Sequence, residues 1–272
     1  MFMIFINNLD PVMFSVGGLD IRWYGALFAL GVLGYYFLAE WMFKREKYPL
    51  AHLESLVIYL FVGLLVGARL GHVFFYESAF YLSQPLEIFK IWKGGLASHG
   101  AIIGLVLMYF VWTRVNKVSF LKYIDILVIP GSLTGFFVRL GNYFNSEIVG
   151  IPSGDQWGVV FMRLGEDFSR HPVQMYESLM NLFVFGVMIF AYTKVRQEKW
   201  RAKFGPGRGF LFFLFFTLYF GMRFVAEFWK ERDGLLEGFA LSMGQTLSLL
   251  PFIVGAFGLI WIEFRRRFNS TA

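Results

Sequence analysis

An arginine, two asparagines and a glutamate fall within nine residues at 139–147, "RLGNYFNSE", at the end of a long apolar run. Arg139 and Asn142 are i, i+3 neighbours and share one face if the run is helical. Glu147 and Gly150 follow in a loop. A second stretch, "LYFGMRFVAEFW", sets Tyr219, Arg223 and Glu227 at i, i+4, i+8, one stripe on one helix face. A guanidinium is a planar fork that can donate two parallel bonds to a phosphate, so two such arginines suit an anionic ligand. "GGLASHG" adds His99, flanked by Gly94, Gly95, Gly100 and Gly104. Its imidazole is neutral near pH 7 and could accept a proton. "HPVQMYE" sets Gln174 and Glu177 on one face after Pro172, and "RWYG" places Trp23 and Tyr24 at another helix start.

Each stretch has a plainer explanation. Arg139 could snorkel while the asparagines cap a helix. Arg223 and Glu227 could neutralise each other at i, i+4. His99 could be a hydrogen-bonded structural residue, 172–177 an ordinary helix start, and Trp23 part of an aromatic belt. The chain has no cysteine, so it offers no thiolate, disulfide or Cys-ligated metal; any thiol chemistry belongs to a substrate. No metal or cofactor site is indicated.

The elements that must carry these residues are membrane helices. Of 272 residues, 57% are hydrophobic and 16% charged, against about 25% charged in soluble domains. Mean hydropathy is +0.57. Seven stretches are long enough for a span of roughly 20 apolar residues: 21–42, 53–75, 96–113, 123–140, 173–193, 209–229 and 242–264. They are expected as helices, because lipid offers no partners to open backbone groups. The expected fold is therefore an all-α integral membrane protein, one polytopic domain over 1–272 with a small head segment near 141–172.

Fifteen of the 25 basic residues lie at 44–47, 114–122, 194–208 and 265–267. By the positive-inside rule those ends are cytoplasmic, as is the C-terminus, and the N-terminus faces outward. His99, Arg139, Asn142, Glu147, Arg223, Glu227 and Tyr24 then fall at one depth, the outer boundary. A shared site for an anionic, lipid-embedded ligand accounts for that coincidence. The net charge of +6 is explained by the inner loops facing anionic lipid, and no nucleic-acid partner is implied. The first twenty residues lack a basic n-region and a small-residue cleavage site, and read as an ordered outer segment.

"RWYG", "GGLASHG", "RLGNYFNSEIVG", "HPVQMYE", "YFGMRFVAEF" and "SMGQ" occur in that order along nearly the whole chain. In this it resembles the prolipoprotein diacylglyceryl transferases, whose signature R-x-G-N-x-x-N-x-E-x-x-G falls on residues 139–150. The resemblance implies seven transmembrane helices in a bacterial inner membrane, with the active site toward the periplasm. It implies transfer of the diacylglyceryl group of phosphatidylglycerol to the lipobox cysteine thiol of a prolipoprotein signal peptide, releasing glycerol 1-phosphate. Tyr24, His99, Arg139, Asn142, Glu147, Gly150, Tyr219, Arg223 and Glu227 are the functional positions carried over. Arg139 and Arg223 would take the phosphate, Glu147 and Glu227 would hold those arginines, and Asn142 and Tyr219 would bond headgroup oxygens. His99, or else Tyr24, would be the base. Departures are "SHGA" where many members read "FHGG", a short 151–170 segment, and His72 where an aromatic residue is expected.

A lipid or anion transporter would also want outer arginines, but such proteins show duplicated halves and midplane sites, and no duplication is visible here. An intramembrane hydrolase lacks a Ser/His or paired-Asp motif to support it.

Overall fold

The computed structural model describes residues 3–154, 157–231 and 240–269. The side chains of Lys93, Ser98 and 265–269 lie outside that description, as do residues 232–239. The side chains of the basic cluster expected at 265–267 therefore lie outside the described residues, while its backbone belongs to the last helix. Most of the expected outer loop 230–241 lies outside them as well.

Among the described residues nine α-helices dominate. They are α1 (Trp23–Glu46), α2 (Leu50–Phe75), α3 (Ser78–Ser83), α4 (Ser98–Val115), α5 (Phe120–Phe144), α6 (Val173–Val195), α7 (Glu198–Phe204), α8 (Phe210–Ala226) and α9 (Met243–Asn269). Among the described residues six helical stretches are long and apolar enough to cross a membrane: Trp23–Glu46, Leu50–Phe75, Phe120–Phe144, Val173–Val195, Phe210–Trp229 and Met243–Phe264. The chain is thus a multi-pass membrane protein. The expected third span is a shorter apolar helix, His99–Val115.

Short strands accompany the helices at the N-terminus and in the head segment. Strands β1 (Met3–Asn7), β2 (Val12–Val16), β3 (Leu19–Arg22) and β4 (Trp157–Phe161) form two small sheets. β1 runs parallel to β4, and β2 and β3 form a hairpin. Its two-residue turn, Gly17-Gly18, has φ of +58° and +82°. Both central residues of such a turn need φ > 0, which glycine adopts without strain. Period-two burial is invisible in the sequence of β1–β3 because these three strands are mostly exposed on both faces.

The chain packs as two compact units, residues 1–39 with 121–272, and residues 40–120. In the second, α2 and α4 meet along glycines. A Cβ on Gly100 would enter the Gly67 carbonyl, and one on Gly104 the Gly63 carbonyl. Small residues let helix backbones close up where no hydrophobic effect drives association. In the first unit, Thr134 of α5 donates to the Gly31 carbonyl of α1 (3.1 Å), and Ser178 of α6 to the Phe136 carbonyl of α5 (3.1 Å). Asp125 of α5 is fully buried and accepts the backbone N–H groups of Gly207, Arg208, Gly209 and Phe212. One carboxylate thereby satisfies the open donors at the start of α8.

Candidate active site

Within the first unit, the polar residues of the 139–150 stretch form one hydrogen-bonded circuit. Arg139 Nη1 donates to Asn142 Oδ1 (3.3 Å), and Asn142 Nδ2 donates to Glu147 Oε2 (3.3 Å). Asn145 Nδ2 donates to the other carboxylate oxygen, Oε1 (3.2 Å). The i, i+3 spacing of Arg139 and Asn142 thus does what helical geometry requires. Closing the circuit takes a strained turn. Ser146 and Ile148, on either side of Glu147, have φ of +55° and +57°. For a β-branched isoleucine that is a genuine outlier, costing on the order of 1–3 kcal/mol. The turn is held by Glu147 N–H to the Asn142 carbonyl (3.0 Å) and by buried Gln174 donating to the Glu147 carbonyl (2.7 Å).

Glu177 is the residue that sequence reasoning undervalued. It was assigned to ordinary capping, yet it is 1% exposed and its Oε2 lies 2.9 Å from Arg139 Nε. That oxygen has no aligned hydrogen bond, so the contact is an ion pair by distance and not a directed bond. Arg223 lies in the field of Glu177, Glu227 and the Tyr219 hydroxyl. Glu177 is thus a carboxylate beside Arg139 in addition to those expected: Glu147 reaches Arg139 through Asn142, and Glu227 acts on Arg223 together with Glu177. The protein itself supplies one anion beside Arg139. The signal that could have found Glu177 is a carboxylate one turn into a membrane helix, where an unpaired charge costs several kcal/mol.

Glu227 is gripped by the motif "SMGQ". Ser242 Oγ donates to its Oε1 (3.1 Å), and Gly244 lies so close that a Cβ there would overlap the carboxylate. Ser242 and Gln245 form a capping box at the start of α9: Gln245 N–H donates to Ser242 Oγ (3.1 Å), and Ser242 N–H to Gln245 Oε1 (3.0 Å). Lys230 Nζ is 3.7 Å from Glu227 Oε2. Tyr24 is half-buried against Gly141, where a Cβ would meet its ring at 2.9 Å.

Gly150 lies in a backbone stitch. Its N–H donates to the His171 carbonyl (3.0 Å), and the next N–H, of Ile151, to the Trp229 carbonyl (2.9 Å). A Cβ there would meet both of those oxygens at 2.5 Å, so only glycine allows this approach. Arg170 caps the stitch by donating to the Gly150 carbonyl (3.0 Å) and pairing with Glu166 (2.6 Å). The Arg170 hydrogen bond holds the Glu166 carboxyl below its usual range. Burial lowers His171, whose Nδ1 lies 3.1 Å from the Tyr176 hydroxyl.

His99 belongs to the other unit, exposed in the first turn of α4. Of its flanking glycines, Gly100 and Gly104 serve helix packing, and Gly95 packs against His72 and Arg69. Among the described residues no group of three His, Cys, Asp or Glu could hold a metal.

The sequence profile of the family described as prolipoprotein diacylglyceryl transferase matches residues 11–261. A relative from Tolumonas auensis, named phosphatidylglycerol–prolipoprotein diacylglyceryl transferase, is 42% identical over 96% of this chain and 98% of its own. Relatives of the same name from Chloroherpeton thalassium and Porphyromonas gingivalis are each 40% identical, over 91% and 95% of this chain and 90% and 93% of their own.

Proposed function

Because the chain belongs to the prolipoprotein diacylglyceryl transferase family, we propose that it moves the diacylglyceryl group of phosphatidylglycerol onto the lipobox cysteine of a prolipoprotein. The observation that carries the reading to particular residues is the circuit running from Glu147 through Asn142 and Arg139 to Glu177, with Tyr219, Glu177 and Glu227 acting electrostatically on Arg223. The whole chain works as one polytopic domain with seven spans in a bacterial inner membrane. Its N-terminus and active site face the periplasm and its C-terminus the cytoplasm, as the basic loops demand.

The reaction is a substitution at the glyceryl carbon. The cysteine sulfur forms a C–S bond as the C–O bond to phosphate breaks, and glycerol 1-phosphate leaves with the electron pair. The thiol proton must go to a base, since an unperturbed thiol has a pKa near 8.5. His99 takes it, with Tyr24 as the alternative. Arg139 and Arg223 stabilise the charge that develops on the leaving phosphate. Glu177 keeps the two guanidinium groups converged before lipid binds. Asn142 and Tyr219 bond headgroup oxygens, Glu147 and Glu227 orient the polar groups around them, and Gly150 positions the loop that carries Glu147.

Incubating the purified protein in phosphatidylglycerol vesicles with a lipobox peptide tests this. Mass spectrometry should find a peptide heavier by one diacylglyceryl group in thioether linkage. Lipid movement across the vesicle without modified peptide would make the protein a transporter instead.

A further inference from the structure

Arg69 lies inside α2, six residues before Phe75 at the end of that apolar helix, and is 4% exposed. An arginine buried in a membrane span costs several kcal/mol unless it is fully partnered. Here the partners are backbone carbonyls from a single segment. Nε donates to the Ile88 carbonyl (2.7 Å), Nη2 to that of Glu87 (2.6 Å), and Nη1 to those of Gly94 (2.7 Å) and Gly95 (3.1 Å). The ring of Tyr81 lies 4.9 Å from the guanidinium carbon. One side chain thereby ties together two 3-10 turns, Pro85–Phe89 and Ile91–Lys93, and the glycine pair that follows them.

The tied segment leads directly into α4 and His99. Ala97 N–H donates to the carbonyl of Ala68, the residue before Arg69 (2.9 Å). Gly95 is wedged so that a Cβ would lie 2.8 Å from Arg69 Nη1 and 2.7 Å from the His72 ring. Gly100 is pressed onto Gly67 and Gly71. His99 is therefore fixed from both sides, by the Arg69-bound segment before it and the glycine contact after it.

We propose that Arg69 is a positioning residue for the transfer reaction: its fork fixes the backbone of 87–97 and so sets where His99 presents its imidazole. The proposal rests on the reading of His99 as the base. Lysine cannot replace the fork, because an ammonium is a point charge that cannot span four carbonyls in a fixed plane.

The test is a double-mutant cycle on the full-length protein in phosphatidylglycerol vesicles, combining Arg69→Lys with His99→Gln. Arg69→Lys should lower kcat by about 10- to 100-fold with the peptide KM changed less than about twofold. In the His99→Gln background the same change should cost less than about twofold, since groups acting through one another are not additive. A full, multiplicative loss in that background, or near-normal activity of Arg69→Lys, overturns the proposal. Hydrogen exchange at 87–97 separates it from the base assignment. Faster exchange in Arg69→Lys supports the strap even where His99→Gln proves active, an outcome that overturns only the base reading; unchanged exchange overturns the strap. If Arg69→Lys fails to fold, Gly95→Ala displaces the guanidinium while keeping its charge. It should then lose kcat in the wild-type background and little in His99→Gln, and wild-type activity of Gly95→Ala would overturn the strap.

Discussion

Two arginines within apolar helices, Arg69 buried and Arg139 partly so, are neutralised in opposite ways. Arg139 meets charged and amide groups, the Glu177 carboxylate at 2.9 Å and Asn142 Oδ1 at 3.3 Å. Arg69 meets four backbone carbonyls at 2.6–3.1 Å. A carboxylate is a mobile side chain of the same charge sign as a phosphate, so it can share its arginine with a ligand. Carbonyls belong to the fold, and an arginine bound by them is committed to holding a loop. The difference teaches that a membrane arginine is informative only through what neutralises it, since both kinds satisfy the same energetic demand.

The sharpest way to break the comparison is to remove the fork and keep the charge. Arg139→Lys and Arg223→Lys should each lower transfer by about 10²-fold or more, the cost of losing one oriented donor to a developing anion. Both should still fold, which thermal melting in detergent would check. Near-normal turnover of either variant would make that arginine a plain charge.

Glu177→Gln asks whether the shared carboxylate is needed. Breaking a buried ion pair from one side typically costs about 3–5 kcal/mol. The melting temperature should therefore drop further than for Glu147→Gln, whose carboxylate is exposed. Equal drops would remove Glu177 from the centre of the site.

Ser242→Ala should cost about 1 kcal/mol, the usual loss of a helix N-cap. It should also reduce transfer severalfold, because Ser242 holds Glu227. Loss of stability with unchanged transfer would detach Glu227 from the reaction.

The smallest effect concerns Arg170 and Glu166. Glu166 has a depressed folded-state pKa. Its contribution is therefore complete above the unfolded value near 4.5 and is lost as pH falls through the lower folded value. The Glu166 side chain is partly exposed, at 19%, so solvent screens the pair and its worth is small. Glu166→Gln should flatten the acid side of a melting-temperature profile by a small amount and leave transfer intact. An unchanged acid limb would show that the pair contributes nothing.

Much of this was legible in the sequence. Apolar run length gave the long helices to within a few residues, because a bilayer fixes how many residues a span needs. The pairing of Arg139 with Asn142 followed from helical spacing alone. What escaped were contacts between distant segments. Glu177 lies 38 positions from Arg139, and nothing local marks it as that residue's partner. "SMGQ" was quoted as a motif, but its grip on Glu227 appears only once α9 folds back beside α8. Arg69 stood in plain view inside the second span, where its charge alone should have flagged it. The N-terminal strands β1–β3 escaped for another reason: mostly exposed on both faces, they leave no alternation to read.

The central claim is that one reaction couples thiol alkylation to phosphate release. The most direct measurement follows glycerol 1-phosphate and thioether-linked peptide together in phosphatidylglycerol vesicles, for wild type and Arg139→Lys. The account predicts one glycerol 1-phosphate per modified peptide in the wild type, with both products falling together in the variant. Glycerol 1-phosphate formed without modified peptide would contradict it and make the enzyme a lipid hydrolase.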